Sequence, residues 1–135
     1  MTDLWLPSDP AAERAALGAV LIVLEADAVQ AFKIVPDGKM FLDTFYGWLW
    51  DRLRWQRKTG RWEQRIQQLW ADGCCGTAAR IHGSHLAADL ARLIVRANAV
   101  DLLDHAAIVR RLHEQRIAIM DAADKLKRVI ERARR

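Results

Sequence analysis

Apolar residues recur every three or four positions along most of this chain, the spacing that places them on one face of an α-helix. Clear examples are the runs from residue 17 to 24, from 41 to 53 and from 102 to 130. Glycine and proline are few and stand mainly between these runs, where they break helices. The pattern predicts an all-α fold.

The breaks predict a compact head of about five helices, from about residue 8 to residue 97, followed by one long protruding helix. Pro10 after Asp9 suits the first helical position behind an N-cap. Ser84 is a second candidate N-cap. The later helices are predicted over residues 26–35, 40–58, 62–70 and 85–96, with the long helix over about 101–132.

The apolar spacing of the long helix continues largely uninterrupted from Leu102 to Ile130, so one of its faces could reach beyond the core of the domain. Its candidate self-association seam consists of Ile108, Leu112, Ile119 and Leu126. Full burial of such side chains stabilises a complex by about 1.5–3 kcal/mol each. This helix is therefore expected to support a homodimer or a higher oligomer.

A length of 135 residues indicates one domain, and 52% hydrophobic with 28% charged residues indicates a globular chain. No apolar run approaches the roughly 18 residues that a membrane span needs. The N-terminus lacks the basic lead of a secretory signal. We therefore expect a cytoplasmic protein with no membrane partner.

Cys74 and Cys75 are adjacent, and neighbouring cysteines form a disulfide only with a strained peptide. His82 and His85 lie close enough in sequence for a Cys2His2 zinc site to be conceivable, but the usual ligand spacings are missing. A loop or helix start built from small residues is the preferred interpretation. No metal and no other cofactor is predicted.

Charge is distributed unevenly between the two halves of the chain. Residues 1–50 carry three basic and seven acidic side chains, a net charge of −4, whereas residues 51–135 carry eighteen basic and ten acidic ones, a net charge of +8. Such asymmetry occurs in nucleic-acid-binding proteins, although a solvated helix face is the commoner explanation.

Trp48, Trp55 and Trp62 recur every seven residues among several arginines. Arginines and aromatic rings together can bind single-stranded nucleic acid by stacking and charge neutralisation. The alternative is that Trp48 and Trp62 fill the core, with Trp55 the most exposed of the three. The candidate contacts with nucleic acid or a protein partner are Trp55, Arg57, Lys58 and Arg61.

No arrangement of residues indicates catalysis. Ser84 and His85 are adjacent, so they cannot form a nucleophile–base pair on one helix face. The acidic residues near the start of the long helix, Asp101 and Asp104, suit capping and the helix dipole. The phosphate-binding sequence G-x-x-x-x-G-K-[ST] is absent. A non-enzymatic protein is therefore predicted, with no catalytic and no cofactor-binding residues.

The opening of the chain resembles the start of the N-terminal domain of DnaB-type replicative helicases. That domain begins with a proline, an Ala-Glu pair, an apolar Leu-Gly and further aliphatic residues. Here Pro7, Ala12-Glu13, Leu17-Gly18 and Val20-Leu21 follow in that order. The next residues of the family pattern have similar counterparts in this chain, namely Phe41, Leu49-Trp50, Leu53 and Gly60. Tyr46 stands where the pattern has a histidine.

The closing segment is the strongest part of the resemblance, which spans residues 7–126. The family has an asparagine, then Tyr-Ala-x-Ile-Val-Arg and a second arginine six residues later. Asn98, the segment from His105 to Arg110, and Arg116 are similar in order and spacing, with His105 in place of the tyrosine.

The resemblance implies a helical collar domain that pairs through a helical hairpin and docks primase, helicase or a helicase loader in DNA replication. Without the nucleotide-binding motif, such a chain would not unwind DNA by itself. Two alternatives remain open. One is a small basic DNA-binding protein, and the other is a helicase inhibitor or loader that competes for a collar or primase site.

Overall fold

The computed structural model describes residues 6–74 and 86–135. Over these residues the chain forms six α-helices and two short 3-10 helices without any strand, which confirms the predicted all-α class. The α-helices are α1 (Pro10–Ile22), α2 (Glu25–Ile34), α3 (Thr44–Lys58), α4 (Arg65–Cys74), α5 (Leu86–Val95) and α6 (Leu102–Ala133).

Helix α1 is the centre of the head, with α2, α3, α5 and α6 packed around it. It begins as predicted at Pro10, because the Asp9 side chain accepts a hydrogen bond from the Ala12 backbone N–H at 3.0 Å. Gly18 permits the close approach of α5, since a Cβ at this position would lie 2.8 Å from the Leu93 carbonyl oxygen. Its alanine-rich and leucine-rich surface is buried on nearly every side.

Helix α3 begins later than predicted, at Thr44 rather than near residue 40. The Asp43 carboxylate caps it by accepting hydrogen bonds from the backbone of Phe45 and Tyr46, at 2.9 and 3.1 Å. The preceding segment forms a 3-10 helix, Gly38–Met40, held by a 2.8 Å bond from the Gly38 N–H to the Asp51 carboxylate. The helical spacing of apolar residues continues through this turn, so spacing alone did not show that α3 begins after it.

Aromatic rings fill the core between α2, α3 and the 3-10 helix Trp62–Gln64 that precedes α4. Trp50 is fully buried, and its indole N–H donates to the Val35 carbonyl at 2.7 Å. Phe32 and Phe41 lie 5.2 and 5.1 Å from it, centroid to centroid. Trp62 is also buried, as predicted, with its ring 6.0 Å from that of Phe32.

Helix α6 has 32 residues and is therefore about 48 Å long. Its N-terminal half packs on α1 and α2, and Arg116 is its last buried residue. None of residues 117–135 is buried. The helix thus extends about 25 Å beyond its last buried position.

The predicted helices over 26–35 and 101–132 agree with α2 and α6 to within one residue at both ends, and the predicted helix over 85–96 agrees with α5 to within one residue at its C-terminal end. The candidate N-cap Ser84 and the candidate zinc ligands Cys75, His82 and His85 lie outside the described residues. Within residues 6–74 and 86–135, no group of three or more metal-ligating side chains comes together. In the same part of the chain, no helix combines the length and apolarity needed to cross a membrane.

Candidate self-association surface

Two buried charged residues fix the middle of α6 to the head. Glu13 on α1 is 3% exposed, and its carboxylate accepts hydrogen bonds from the backbone of Leu42 and Asp43, at 2.8 and 3.2 Å. Arg116 on α6 is 5% exposed and donates to the carbonyls of Pro7 at 3.1 Å and Met40 at 2.6 Å. Arg116 thus ties α6 to the N-terminal segment and to the turn before α3, and Glu13 ties α1 to the same turn.

Burial lowers the pKa of Arg116 from its usual value, and the negative charge of Glu13 opposes that change. A guanidinium remains protonated at neutral pH even so. The buried positive charge is therefore compensated by carbonyl oxygens and by Glu13. The sequence indicated Arg116 only as a landmark of the resemblance.

Two further arginines bind the C-terminal ends of helices. Arg65 donates to the carbonyls of Leu21 at 3.1 Å and Val23 at 2.9 Å, at the end of α1. Arg110 donates to the Ile34 carbonyl at 3.3 Å, at the end of α2. Helix C-termini carry partial negative charge and unpaired carbonyls, so both contacts are favourable. Sequence reasoning missed them because nothing in the local pattern shows which carbonyl a distant arginine reaches.

Beyond Arg116 an apolar row continues along α6, and we call it the α6 stripe. It consists of Ile119, Ala123, Leu126 and Ile130. Their alternating spacing of four and three residues extends the positions Val109, Leu112 and Arg116 that lie nearer the head. Leu126 is 61% and Ile130 44% exposed, and the neighbouring Val129 is 60% exposed.

The structure separates the four predicted seam residues into two pairs. Ile108 and Leu112 are half-buried in the part of α6 that packs on the head. Ile119 is half-buried and Leu126 exposed, and both lie on the extension. The surface open to a partner is therefore displaced toward the C-terminus, and it includes Ile130, which the predicted seam omitted.

The candidate nucleic-acid contacts are also divided. Trp55 is 42% exposed, and its ring lies 4.8 Å from the Arg52 guanidinium and 5.8 Å from that of Arg61. Arg57 instead forms a salt bridge with Glu25 at 3.5 Å. Lys58 is exposed at the end of α3. The structure therefore brings together Trp55 and Arg61, with Arg52 as an unpredicted third member.

Comparison with known proteins gives no relative: no family model, no curated protein and no solved structure matches this chain.

Proposed function

We propose that this protein is a non-catalytic helical module that self-associates through the α6 stripe and docks a partner in DNA replication. The observation that carries the proposal is an apolar row on a helix that extends beyond its own core. Exposed apolar residues arranged as a continuous row are typical of protein interaction surfaces, whereas scattered ones are not.

The spacing of the α6 stripe suits a partner helix. Apolar residues that alternate at four and three positions repeat on average every 3.5 residues, which is the period of helices that pack side by side in a left-handed supercoil. A second copy of α6 carries the same row. A two-fold dimer would therefore bury the stripe of each chain against that of the other.

The expected affinity is modest. Ile119, Leu126, Val129 and Ile130 are each partly exposed, so burying them contributes about 1–2 kcal/mol per side chain, or about 8–16 kcal/mol for the two chains. Association costs about 4–15 kcal/mol in lost freedom of motion. We expect a reversible dimer with a Kd in the micromolar range or weaker.

Contacts between the two ends of the resemblance support a collar-like role. Pro7 and Glu13 come from its opening and Arg116 from its close, and the Arg116 guanidinium binds the Pro7 carbonyl across 109 positions of sequence. Such contacts orient the extended helix relative to the head, as an assembly module requires. The partner classes of primase, helicase or loader, and the cytoplasmic location, rest on the sequence interpretation.

Light scattering after size exclusion, over a concentration series, tests self-association. The double variant Leu126→Asp/Ile130→Asp should be monomeric because each dimer would bury four carboxylates. Ile117→Asp is the matched control, since Ile117 is 45% exposed and lies on another face of α6.

The wild type and Ile117→Asp should show the same concentration-dependent rise in mass. Equal association of the double variant and the wild type would contradict the proposal, as would a wild type that stays monomeric up to millimolar concentration. Circular dichroism should show the same helix content in all three proteins, because the substituted positions lie beyond the buried part of α6.

The exposed Trp55 ring, with guanidiniums 4.8 and 5.8 Å from its centroid, favours single-stranded nucleic acid as a second candidate function. Fluorescence anisotropy of a labelled oligonucleotide should then show affinity that falls steeply with salt. Trp55→Ala should weaken binding by about 1–3 kcal/mol if a base stacks on this ring. Equal affinity of this variant and the wild type would argue against a stacking site.

A further inference from the structure

Helices α1 and α5 and the N-terminus of α3 border a cleft of about 690 Å³ on the head. Three arginines line it: Arg14 from α1, Arg92 from α5, and Arg96 from the turn that directly follows α5. Phe45 and Tyr46 contribute aromatic rings from the first turn of α3. The cleft lies on the head, whereas the α6 stripe lies on the extension, so the inference does not depend on the proposed function.

The two carboxylates at the cleft are already bound within the protein. Asp43 caps α3 through the backbone of Phe45 and Tyr46. Asp89 forms a salt bridge with Arg92 at 3.1 Å. Three guanidiniums thus face two carboxylates, and Arg96 makes no ion pair within the part of the chain that the structure describes. The cleft therefore retains positive charge that is open to an anion.

Tyr46 adds a polar group to this aromatic wall. The Arg14 guanidinium lies near its hydroxyl group. Burial raises the pKa of Tyr46, and the positive charge of Arg14 partly opposes the change, so the hydroxyl is neutral at physiological pH. A neutral tyrosine hydroxyl can donate a hydrogen bond to a bound anion.

We propose that this cleft binds a small phosphate-bearing molecule with a planar ring, of the mononucleotide class. Arg14 and Arg96 would bind the phosphate, because the guanidinium matches two phosphate oxygens at once. The ring would lie against Phe45 and Tyr46. The volume lies within the range of about 300–1,000 Å³ that is typical of small-molecule sites.

Isothermal titration calorimetry with AMP, ribose 5-phosphate, inorganic phosphate and adenosine tests the inference on the intact chain. AMP should bind saturably with one-to-one stoichiometry. Ribose 5-phosphate and inorganic phosphate should bind more weakly because they lack the planar base. Adenosine should show no binding because it lacks the phosphate. Ribose 5-phosphate binding as tightly as AMP would overturn the assignment of the ring site.

Arg14→Ala and Arg96→Ala should each weaken AMP binding by about tenfold or more, the usual effect of losing a charge-assisted hydrogen bond. Both side chains are exposed, so the variants should fold, and circular dichroism checks this. Arg128→Ala is the matched control, since Arg128 is an exposed arginine on the extension of α6.

The inference is overturned if AMP shows no saturable binding in the millimolar range. It is also overturned if all three arginine variants lose affinity equally, which would indicate attraction to general positive charge. Loss of AMP binding by Arg96→Ala with retention by Arg128→Ala would support a specific site. None of these binding results depends on the oligomeric state. Failure of the proposed AMP site is therefore distinguishable from failure of the proposed function.

Discussion

Replacement of Glu13 by glutamine should destabilise the head far more than such a conservative change does at the surface. The Glu13 carboxylate accepts two backbone hydrogen bonds, from Leu42 and Asp43, and its charge favours the ionised form of buried Arg116. A glutamine keeps one acceptor oxygen but turns an N–H group toward the other donor. It also removes the negative charge near a buried cation.

The expected change in the free energy of unfolding follows from the loss of one hydrogen bond to a charged group and of the compensating negative charge. A hydrogen bond to a charged group contributes about 1.5–3 kcal/mol, and a buried donor left unpaired costs about 1–3 kcal/mol. We therefore expect Glu13→Gln to lower the free energy of unfolding by about 2–4 kcal/mol, a large part of the 5–15 kcal/mol that is usual for a domain. Urea denaturation followed by circular dichroism measures this change.

Glu114→Gln is the matched control. Glu114 pairs with Arg110 at 3.0 Å on the surface of α6, and such exposed pairs contribute about 0.3–0.5 kcal/mol. A double-mutant cycle of Glu13→Gln with Arg116→Met then isolates the coupling, which should exceed about 0.5 kcal/mol for residues in one network. Strict additivity, or a loss no larger than that of the control, would refute this account.

Three further predictions concern other parts of the structure. Gly18→Ala should lower the thermal midpoint, because the new Cβ would lie 2.8 Å from the Leu93 carbonyl and would force α1 and α5 apart at a cost of about 1–3 kcal/mol. The raised pKa of Tyr46, the single tyrosine, should appear in an ultraviolet titration as a transition above the usual value of 10.0 that returns to normal in urea. Because the folded protein favours neutral Tyr46, the stability that this preference provides should be complete below pH 10 and lost as the pH rises through the folded pKa. Trp50→Ala should cost about 3–5 kcal/mol, whereas Trp55→Ala should change the unfolding midpoint little, since Trp50 is fully buried and Trp55 is 42% exposed.

Apolar spacing predicted the helices whose faces are clearly divided into apolar and polar sides. Helices α2, α5 and α6 have bounds close to those expected, and Pro10 marks the start of α1. The start of α3 was wrong because a capping aspartate, Asp43, and the pair Gly38 and Gly47 create a turn inside a continuous apolar pattern. Side-chain capping overrides periodicity, and periodicity alone does not show it.

Sequence patterns did not predict the contacts between segments that lie far apart along the chain. The exposed position of Trp55 was predicted correctly, but its neighbour Arg52 was not among the candidate contacts, and Arg57 binds Glu25 instead. Arg14 and Arg96 lie 82 positions apart in the numbering and line one cleft only because α1 packs against α5. Helical periodicity determines which face a residue occupies, whereas the packing of helices determines what that face meets.

The position of Arg116 within the repeat of α6 separates the part of the helix that packs on the head from the part that we propose to self-associate. An apolar residue would continue the row, but it would leave the carbonyls of Pro7 and Met40 without their donor. The arginine thus marks the end of the part that packs on the head, and the α6 stripe begins three residues later. If the two parts are independent, Glu13→Gln should lower stability without changing the Kd of the proposed dimer.

The reverse should hold for Leu126→Asp/Ile130→Asp, which should abolish the dimer while leaving the unfolding free energy of the monomer unchanged. Stability must be measured below the dimer Kd, because association itself stabilises the folded state by mass action. A loss of dimer in Glu13→Gln under conditions where the head is folded would show that the buried residues Glu13 and Arg116 and the α6 stripe form one cooperative unit. In that case the orientation of α6, and not only its apolar surface, determines self-association.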